Sequence, residues 1–265
     1  MIKAHELKEV FMDTERICSS EDNLISLTSS MVQNTQIYCS HEYDLSKVLQ
    51  EKKKGMISVV ESSTFQEAHH YSALGKTAVL NFSNPIAPGG GVKLGVMAQE
   101  ECLCRTSNLY FSLIRPDIME QYYYFHQKLS DDAFSDRLIY SPQVAVIKSD
   151  DELPVRLKEP FFVDVITCAA PYNDENKIPN LNAIFNHRIK AVLESATKNN
   201  ATNVVLGAWG CGVFNNPPQL VADEFYKVLV IEKYRYAFDN VVFAIIRSSQ
   251  NYQVFKATFA AIEKH

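Results

Sequence analysis

Two short segments hold seven of the nine glycines in this 265-residue chain, and beside one of them stand two adjacent glutamates. The first, NFSNPIAPGGGVKLGVMAQEE (81–101), runs from an apolar stretch into Gly89, Gly90 and Gly91 and on to Gln99, Glu100 and Glu101. Three successive glycines remove every Cβ, so a ligand can rest on the backbone and its amides can turn toward an anion such as phosphate. A simple tight turn is the plainer alternative, but it usually needs only one glycine. The second, VVLGAWGCGVFNNPP (204–218), places Gly207, Gly210 and Gly212 after another apolar run, with Trp209 and Phe214 able to pack on a sugar or base or simply in the core. Asn215 or Asn216 could cap the helix that follows. Its G-x-x-G-x-G order is not the dinucleotide fingerprint, and no Gly-Lys-Ser/Thr loop is present. Adjacent carboxylates repel unless they are exposed or used. At Glu100–Glu101 they could simply be the acidic first turn of a helix. Placed after an anion loop, one of them with a raised pKa could act as a general acid.

The elements that would position these groups follow an α/β alternation. Strands are predicted at 56–60, 77–82, 144–147, 161–170, 203–208 and 241–246. Helices are predicted at 64–75, from Leu181 to Asn200, over 218–234, and through Tyr252, Phe255, Phe259 and Ile262 at the end. Ser63 or Thr64 would cap the first of these and Gly75 would stop it. Continuous apolar strands alternating with amphipathic helices imply a mostly parallel sheet covered on both faces. In such a sheet the loops at the strands' carboxyl ends share one edge, so the two glycine loops are expected to face each other across a crevice. Residues 1–54 read as helix and loop, ending in a charged connector EKKKG (51–55). The aromatic-rich stretch 115–137 could be helix or loop, and its Tyr122–Phe125 could line a substrate surface or pack.

Composition excludes several classes. A formal net charge of −5 argues against a broad nucleic-acid footprint. No apolar run is long enough to span a bilayer, and the charged N-terminus does not resemble a signal peptide. The six cysteines form no CxxC pair or zinc pattern, which suits reduced thiols in an intracellular protein, cytoplasmic or nuclear. His69–His70 reads as solvated helix surface, and Cys102 and Cys104 as packing, so no metal is expected.

PGGGVKLGVMAQEE closely resembles the GGG-x(6–8)-QEE signature of poly(ADP-ribose) glycohydrolases. The blocks LNFSNPIAPGGG…QEECLCRTSNLY, YSPQVAVIKSDDE, VDVITCAAPYN and LGAWGCGVFNNPP are similar to successive blocks of the microbial-type members. The resemblance covers roughly residues 5–265. It implies a macrodomain-like three-layer α/β/α sandwich with a mixed, mostly parallel sheet over 55–265, and residues 1–54 as an N-terminal helical extension packed on that core. It implies cleavage of the ribose–ribose O-glycosidic bond of poly(ADP-ribose), with release of ADP-ribose and no cofactor. Glu101 would be the catalytic acid/base and Glu100 would orient the ribose hydroxyls, with Asn84 helping and Gln99 holding the group. Gly89, Gly90 and Gly91 would line the distal ribose and diphosphate. Gly210, Cys211, Gly212 and Val213 would offer diphosphate-loop amides, Phe214 would pack near the ribose, and Ile246 would stand on the adenine side. The partners implied are ADP-ribose, its polymer and ADP-ribosylated macromolecules, met by a monomer without membrane or sequence-specific nucleic acid. Two other activities fit the same cleft: removal of single ADP-ribose units from a protein or nucleic-acid acceptor, and binding of ADP-ribose without cleavage. An intact QEE speaks against the second of these.

Overall fold

A computed structural model of the chain describes residues 2–39, 55–174, 177–246 and 248–260. The predicted connector at 51–54 and Ile262 of the closing helix lie outside them. Two helices open the chain, α1 (Ala4–Ser20) and α2 (Asp22–Asn34), followed by β1 (Gln36–Tyr38). Then come β2 (Met56–Val60), α3 (Thr64–Ser72) and β3 (Thr77–Phe82). A 3₁₀ turn (Val92–Leu94) leads to α4 (Gln99–Thr106) and α5 (Leu109–Leu113). After the hairpin strands β4 (Leu138–Lys148) and β5 (Arg156–Cys168) come α6 (Leu181–Lys198), β6 (Asn203–Leu206), α7 (Pro218–Tyr226), β7 (Asn240–Ala244) and α8 (Ser249–Phe259).

Seven strands form one mixed sheet in the order β1-β4-β5-β3-β6-β7-β2. The pairs β5–β3, β3–β6, β6–β7 and β7–β2 are parallel, and β1–β4 and β4–β5 are antiparallel. Strand residues divide between two cores with period two. Ala78, Leu80, Val204 and Phe243 pack with α6, α7 and α8, while Val79, Val205 and Val242 pack with residues of α1 to α5. The sheet is thus buried on both faces, which is why β3 and β6 read as unbroken apolar runs. Phe11 of α1 and Met31 of α2 belong to the second core.

Local chemistry explains most boundaries. Ser63 caps α3 with the reciprocal Gln66 contact of a capping box, and the Gly75 amide closes its end on the Tyr71 carbonyl. The predicted helix over 218–234 is shorter: α7 ends at Tyr226 and passes into a π-helical turn, Lys227–Ile231. Pro217 occupies its N-cap, where Asn215 or Asn216 was expected. Strand β4 begins six residues before the predicted VAVI run, since a bulge between Ser141 and Val144, with Gln143 at positive φ, interrupts the alternation there. The aromatic stretch is helical from Pro116 to Gln127, with a π-helical turn at Met119–Tyr123. Tyr122 and Tyr123 are fully buried and pack, and Tyr124 is exposed.

Candidate active site

The carboxyl ends of β3, β5, β6 and β7 open onto a cleft of about 450 Å³. Its walls come from Phe82–Asn84 after β3, Val96–Leu103 at the start of α4, Ala170 after β5, Ala208–Gly210 and Gly212–Phe214 after β6, and Ala244–Ile246 after β7. Ser63, Thr64 and Asp150 line it as well, with Ser248 and Asn251 from the start of α8.

Gln99, the first residue of α4, fixes this helix to the end of β3. Its Oε1 accepts from the Phe82 amide (2.9 Å), and its Nε2 donates to the Leu80 carbonyl (2.7 Å) and to the Thr64 hydroxyl (3.2 Å). The side chain therefore replaces the strand partner that the tip of β3 lacks. Replacing Gln99 by Ala leaves the Phe82 amide and Leu80 carbonyl unpaired, and the expected loss of unfolding free energy in a urea titration is about 2 kcal/mol.

Glu100 and Glu101 are both buried, 3% and 7% exposed. Glu100 accepts from the Asn84 amide at Oε2 (2.7 Å) and from Asn81 Nδ2 at Oε1 (3.3 Å). Burial pushes its carboxyl from the ordinary 4.5 up to about 8; the Asn84 amide opposes that rise and the charge of Glu101 adds to it. Near neutral pH Glu100 retains its proton. The folded protein holds this proton between pH 4.5 and about 8, where the unfolded chain releases it, so Glu100 makes stability fall as pH rises through that window. The slope it contributes reaches about 1.4 kcal/mol per pH unit. Urea titrations across pH 5–8 should show it in the wild type and lose it in Glu100→Gln.

Glu101 lines the cleft and accepts from the Gly91 amide at Oε1 (2.7 Å). Its second oxygen accepts no hydrogen bond among the described residues. Of the two acids, Glu100 is tied at both oxygens and Glu101 has one oxygen available for a reacting group.

The triple glycine stands behind this pair and is not in the cleft wall. The Gly90 amide donates to the Ala87 carbonyl (3.0 Å), the Gly91 amide serves Glu101, and the Gly89 amide is directed at Glu100. Gly90 has φ +55°, and a Cβ on it would lie 2.4 Å from Glu101 Oε1. The loop thus lies against both carboxyl groups. Asn84 contributes its amide to Glu100 and uses its side-chain Oδ1 to accept from the Ile86 (3.0 Å) and Ala87 (2.9 Å) amides, which starts the loop.

Across the cleft, the second glycine loop keeps open donors. The amides of Gly212, Val213 and Phe214 make no hydrogen bond among the described residues, and Val213 is 80% exposed. Such consecutive amides suit a diphosphate. Cys211 is turned away: its amide donates to the Ala208 carbonyl (3.1 Å) and its thiol, pushed up to about 12 by burial, contacts the Trp209 carbonyl. Asn216 ties the loop's base to the Gly210 and Pro171 carbonyls, both at 2.9 Å. Trp209 is fully buried, with its indole N–H on the Cys168 carbonyl and its ring edge-on to Phe185. Phe214 is half-buried, edge-on to Tyr172, and Ile246 is a half-exposed wall residue beyond β7.

Sequence reasoning missed Asn81, Ser63, Thr64 and Asp150. Asn81 had a signal, being the lone amide inside the apolar run TAVLNF. Asp150 sat in an acidic turn, and only the fold brings it to the start of α3, where it accepts from the Phe65 amide (3.2 Å). His69 and His70 are exposed, with His69 stacked on Phe161. Among the described residues no group of three or more His, Cys, Asp or Glu could hold a metal ion, and no helix is long and apolar enough to cross a membrane.

Residues 4–149 match the family model of the microbial-type PARG catalytic domain, PARG standing for poly(ADP-ribose) glycohydrolase. The chain is similar to the poly(ADP-ribose) glycohydrolase of Thermomonospora curvata, with 30% identity, a TM-score of 0.83, and coverage of 96% of this chain and 100% of that one. The same enzyme bound to the inhibitor ADP-HPD aligns with a TM-score of 0.82. The poly(ADP-ribose) glycohydrolase of Deinococcus radiodurans in complex with ADP-ribose shares 32% identity and a TM-score of 0.79, over 89% of this chain and 97% of that one. No curated protein matches the chain by sequence.

Proposed function

The chain belongs to the microbial-type poly(ADP-ribose) glycohydrolases, and from that premise we propose how its macrodomain-like cleft hydrolyses the ribose–ribose O-glycosidic bond of poly(ADP-ribose) to release ADP-ribose. The observation that carries the assignment of roles is the acid pair: Glu100 tied at both oxygens, Glu101 anchored at one and lining the cleft.

Glu101 acts as the general acid, donating a proton to the leaving ribose oxygen as the C1″–O bond breaks. The charge that develops on the sugar is oxocarbenium-like, and the Glu101 carboxylate stabilises it. The same carboxylate then takes a proton from the attacking water, which forms the new C–O bond and restores the pair. One residue fills both roles, unlike the scheme in which two carboxylates face each other across the bond. Glu100, tied to Asn81 and Asn84, orients the ribose hydroxyls, and Gln99 fixes the helix that carries both acids. The open amides of Gly212, Val213 and Phe214 hold the diphosphate, Phe214 packs near the ribose, and Ile246 flanks the adenine. Gly89, Gly90 and Gly91 act through the carboxyl groups they cradle. Amides neutralise the diphosphate locally, so a protein of net charge −5 can bind an anionic nucleotide.

The polymer is carried by ADP-ribosylated macromolecules, and the enzyme works on it as an intracellular monomer. No cofactor is needed, because water and a proton are the only co-reactants. Incubation with purified polymer and, separately, with a mono-ADP-ribosylated protein, alongside calorimetric titration of ADP-ribose, tests this account. Release from the polymer is expected, with binding of free ADP-ribose. Processing of the mono-modified protein alone would reassign the leaving group. Absence of both heat and turnover would overturn the account.

A further inference from the structure

The carboxylate of Glu101 is held by the Gly91 amide, so anything that fixes Gly91 also fixes the acid. Gly91 in turn accepts from the Val96 amide at its carbonyl (3.2 Å), and its Cα lies against the Val96 side chain. The Val96 carbonyl receives a hydrogen bond from Nη2 of Arg105, and Arg105 stands on α4 one turn after Glu101. Glu101, Gly91, Val96 and Arg105 thus close a ring that begins and ends on the same helix.

Arg105 is 1% exposed and makes no ion pair among the described residues. Its guanidinium has the Val96 carbonyl and the Cys102 sulfur (3.7 Å) as partners, and its Nε has none. A dehydrated charge with so little compensation is an expensive way to fill space. Its use lies in geometry, because a rigid fork reaches back to the loop that holds the acid.

Helix α1 braces this ring and the glycine loop around it at three points. Thr14 donates from its hydroxyl to the Arg105 carbonyl (2.6 Å). Phe11 packs edge-on against Tyr110, whose ring lies against Gly89. The Ala4 carbonyl presses on Gly95, where φ is +74° and a Cβ would fall 1.9 Å from that oxygen. Lys148 clamps α1 in place, reaching the Val10 carbonyl and Asp13, both at 2.8 Å.

We infer that Arg105 is a positioning residue for Glu101, and that α1 is the brace that keeps Arg105 and the glycine loop in register. This rests on the role given to Glu101 above. The test is steady-state hydrolysis of purified poly(ADP-ribose) by Arg105→Met, Arg105→Lys and Thr14→Val, well below each variant's melting temperature, with calorimetric ADP-ribose affinity beside it. Misplacing a catalytic group by about 1 Å costs on the order of a hundredfold. Arg105→Met is expected to lose kcat on that scale, with KM and ADP-ribose affinity held within a few-fold. Arg105→Lys keeps one donor for the Val96 carbonyl and should recover part of the loss. Thr14→Val, which removes one of the three contacts of α1, should lower kcat a few-fold without touching affinity. If Arg105→Met does not fold, the Lys and Val variants decide. Wild-type kcat in the folded variants, or a kcat loss matched by an equal loss of ADP-ribose affinity, overturns the inference alone. A wild-type protein that cleaves no polymer removes it together with the function assigned to the cleft.

Discussion

Glu101→Gln is expected to lower the rate of ADP-ribose release from polymer by roughly 10²–10⁴-fold, the scale of a general acid–base contribution, while ADP-ribose affinity changes by no more than a few-fold. The substitution is isosteric, and an amide oxygen can still accept from the Gly91 N–H that now holds Oε1 at 2.7 Å. What disappears is the proton to deliver and the carboxylate that accepts it back. Release kinetics paired with calorimetry separate these effects. A variant that turns over at more than a tenth of the wild-type rate would take Glu101 out of the chemistry and leave Glu100 as the acid to examine. A variant that loses binding as well as turnover would make Glu101 chiefly a ligand of the ribose.

Gly90→Ala should be nearly as damaging, by a different route. The added methyl would lie 2.4 Å from Glu101 Oε1, 3.1 Å from its Cδ and 3.3 Å from Glu100 Oε2, in a backbone with φ +55°. The left-handed backbone alone costs an alanine about 1–2 kcal/mol. Relief of the clash requires the Glu101 carboxylate to move by about an ångström, worth on the order of a hundredfold in rate. Since the Gly90 amide is committed to Ala87 and the diphosphate is proposed to rest on the amides of the other loop, ADP-ribose binding should survive better than turnover. Polymer hydrolysis and ADP-ribose calorimetry on the folded variant check this. Had the triple glycine been a phosphate cradle, affinity would fall in step with rate.

That contrast marks what the sequence conveyed. The alternation of apolar runs with amphipathic helices gave the α/β class and the edge on which the loops meet, because a sheet buried on both faces leaves unbroken apolar strands. The acids, the glycines and Gln99 were legible as types at suggestive spacing. Their division of labour was not. A glycine run reads the same whether its amides face a phosphate or a side chain, and only the fold of α4 against β3 puts Glu101 where Gly91 points. Cys211 illustrates the same limit, since a residue inside an anion loop can spend its amide on the loop's own turn. Asp150 joins the cleft by tertiary placement from a turn that looked like solvent-facing acid. The β4–β5 arm was obscured by a bulge and by the polar LKEP segment, which has no alternating face. Arg105, one turn beyond Glu101, carries no local pattern that distinguishes it from a surface arginine.

Hydrolysis of poly(ADP-ribose) in this cleft is read from its product. Its most direct test is chromatographic quantification of free ADP-ribose released over time when the purified protein is mixed with acceptor-free polymer. ADP-ribose is expected to accumulate steadily, in proportion to enzyme concentration, as the polymer shortens. No ADP-ribose above the enzyme-free blank, from protein that binds ADP-ribose in the same buffer, would contradict it and leave a cleft that recognises the nucleotide without cutting the chain.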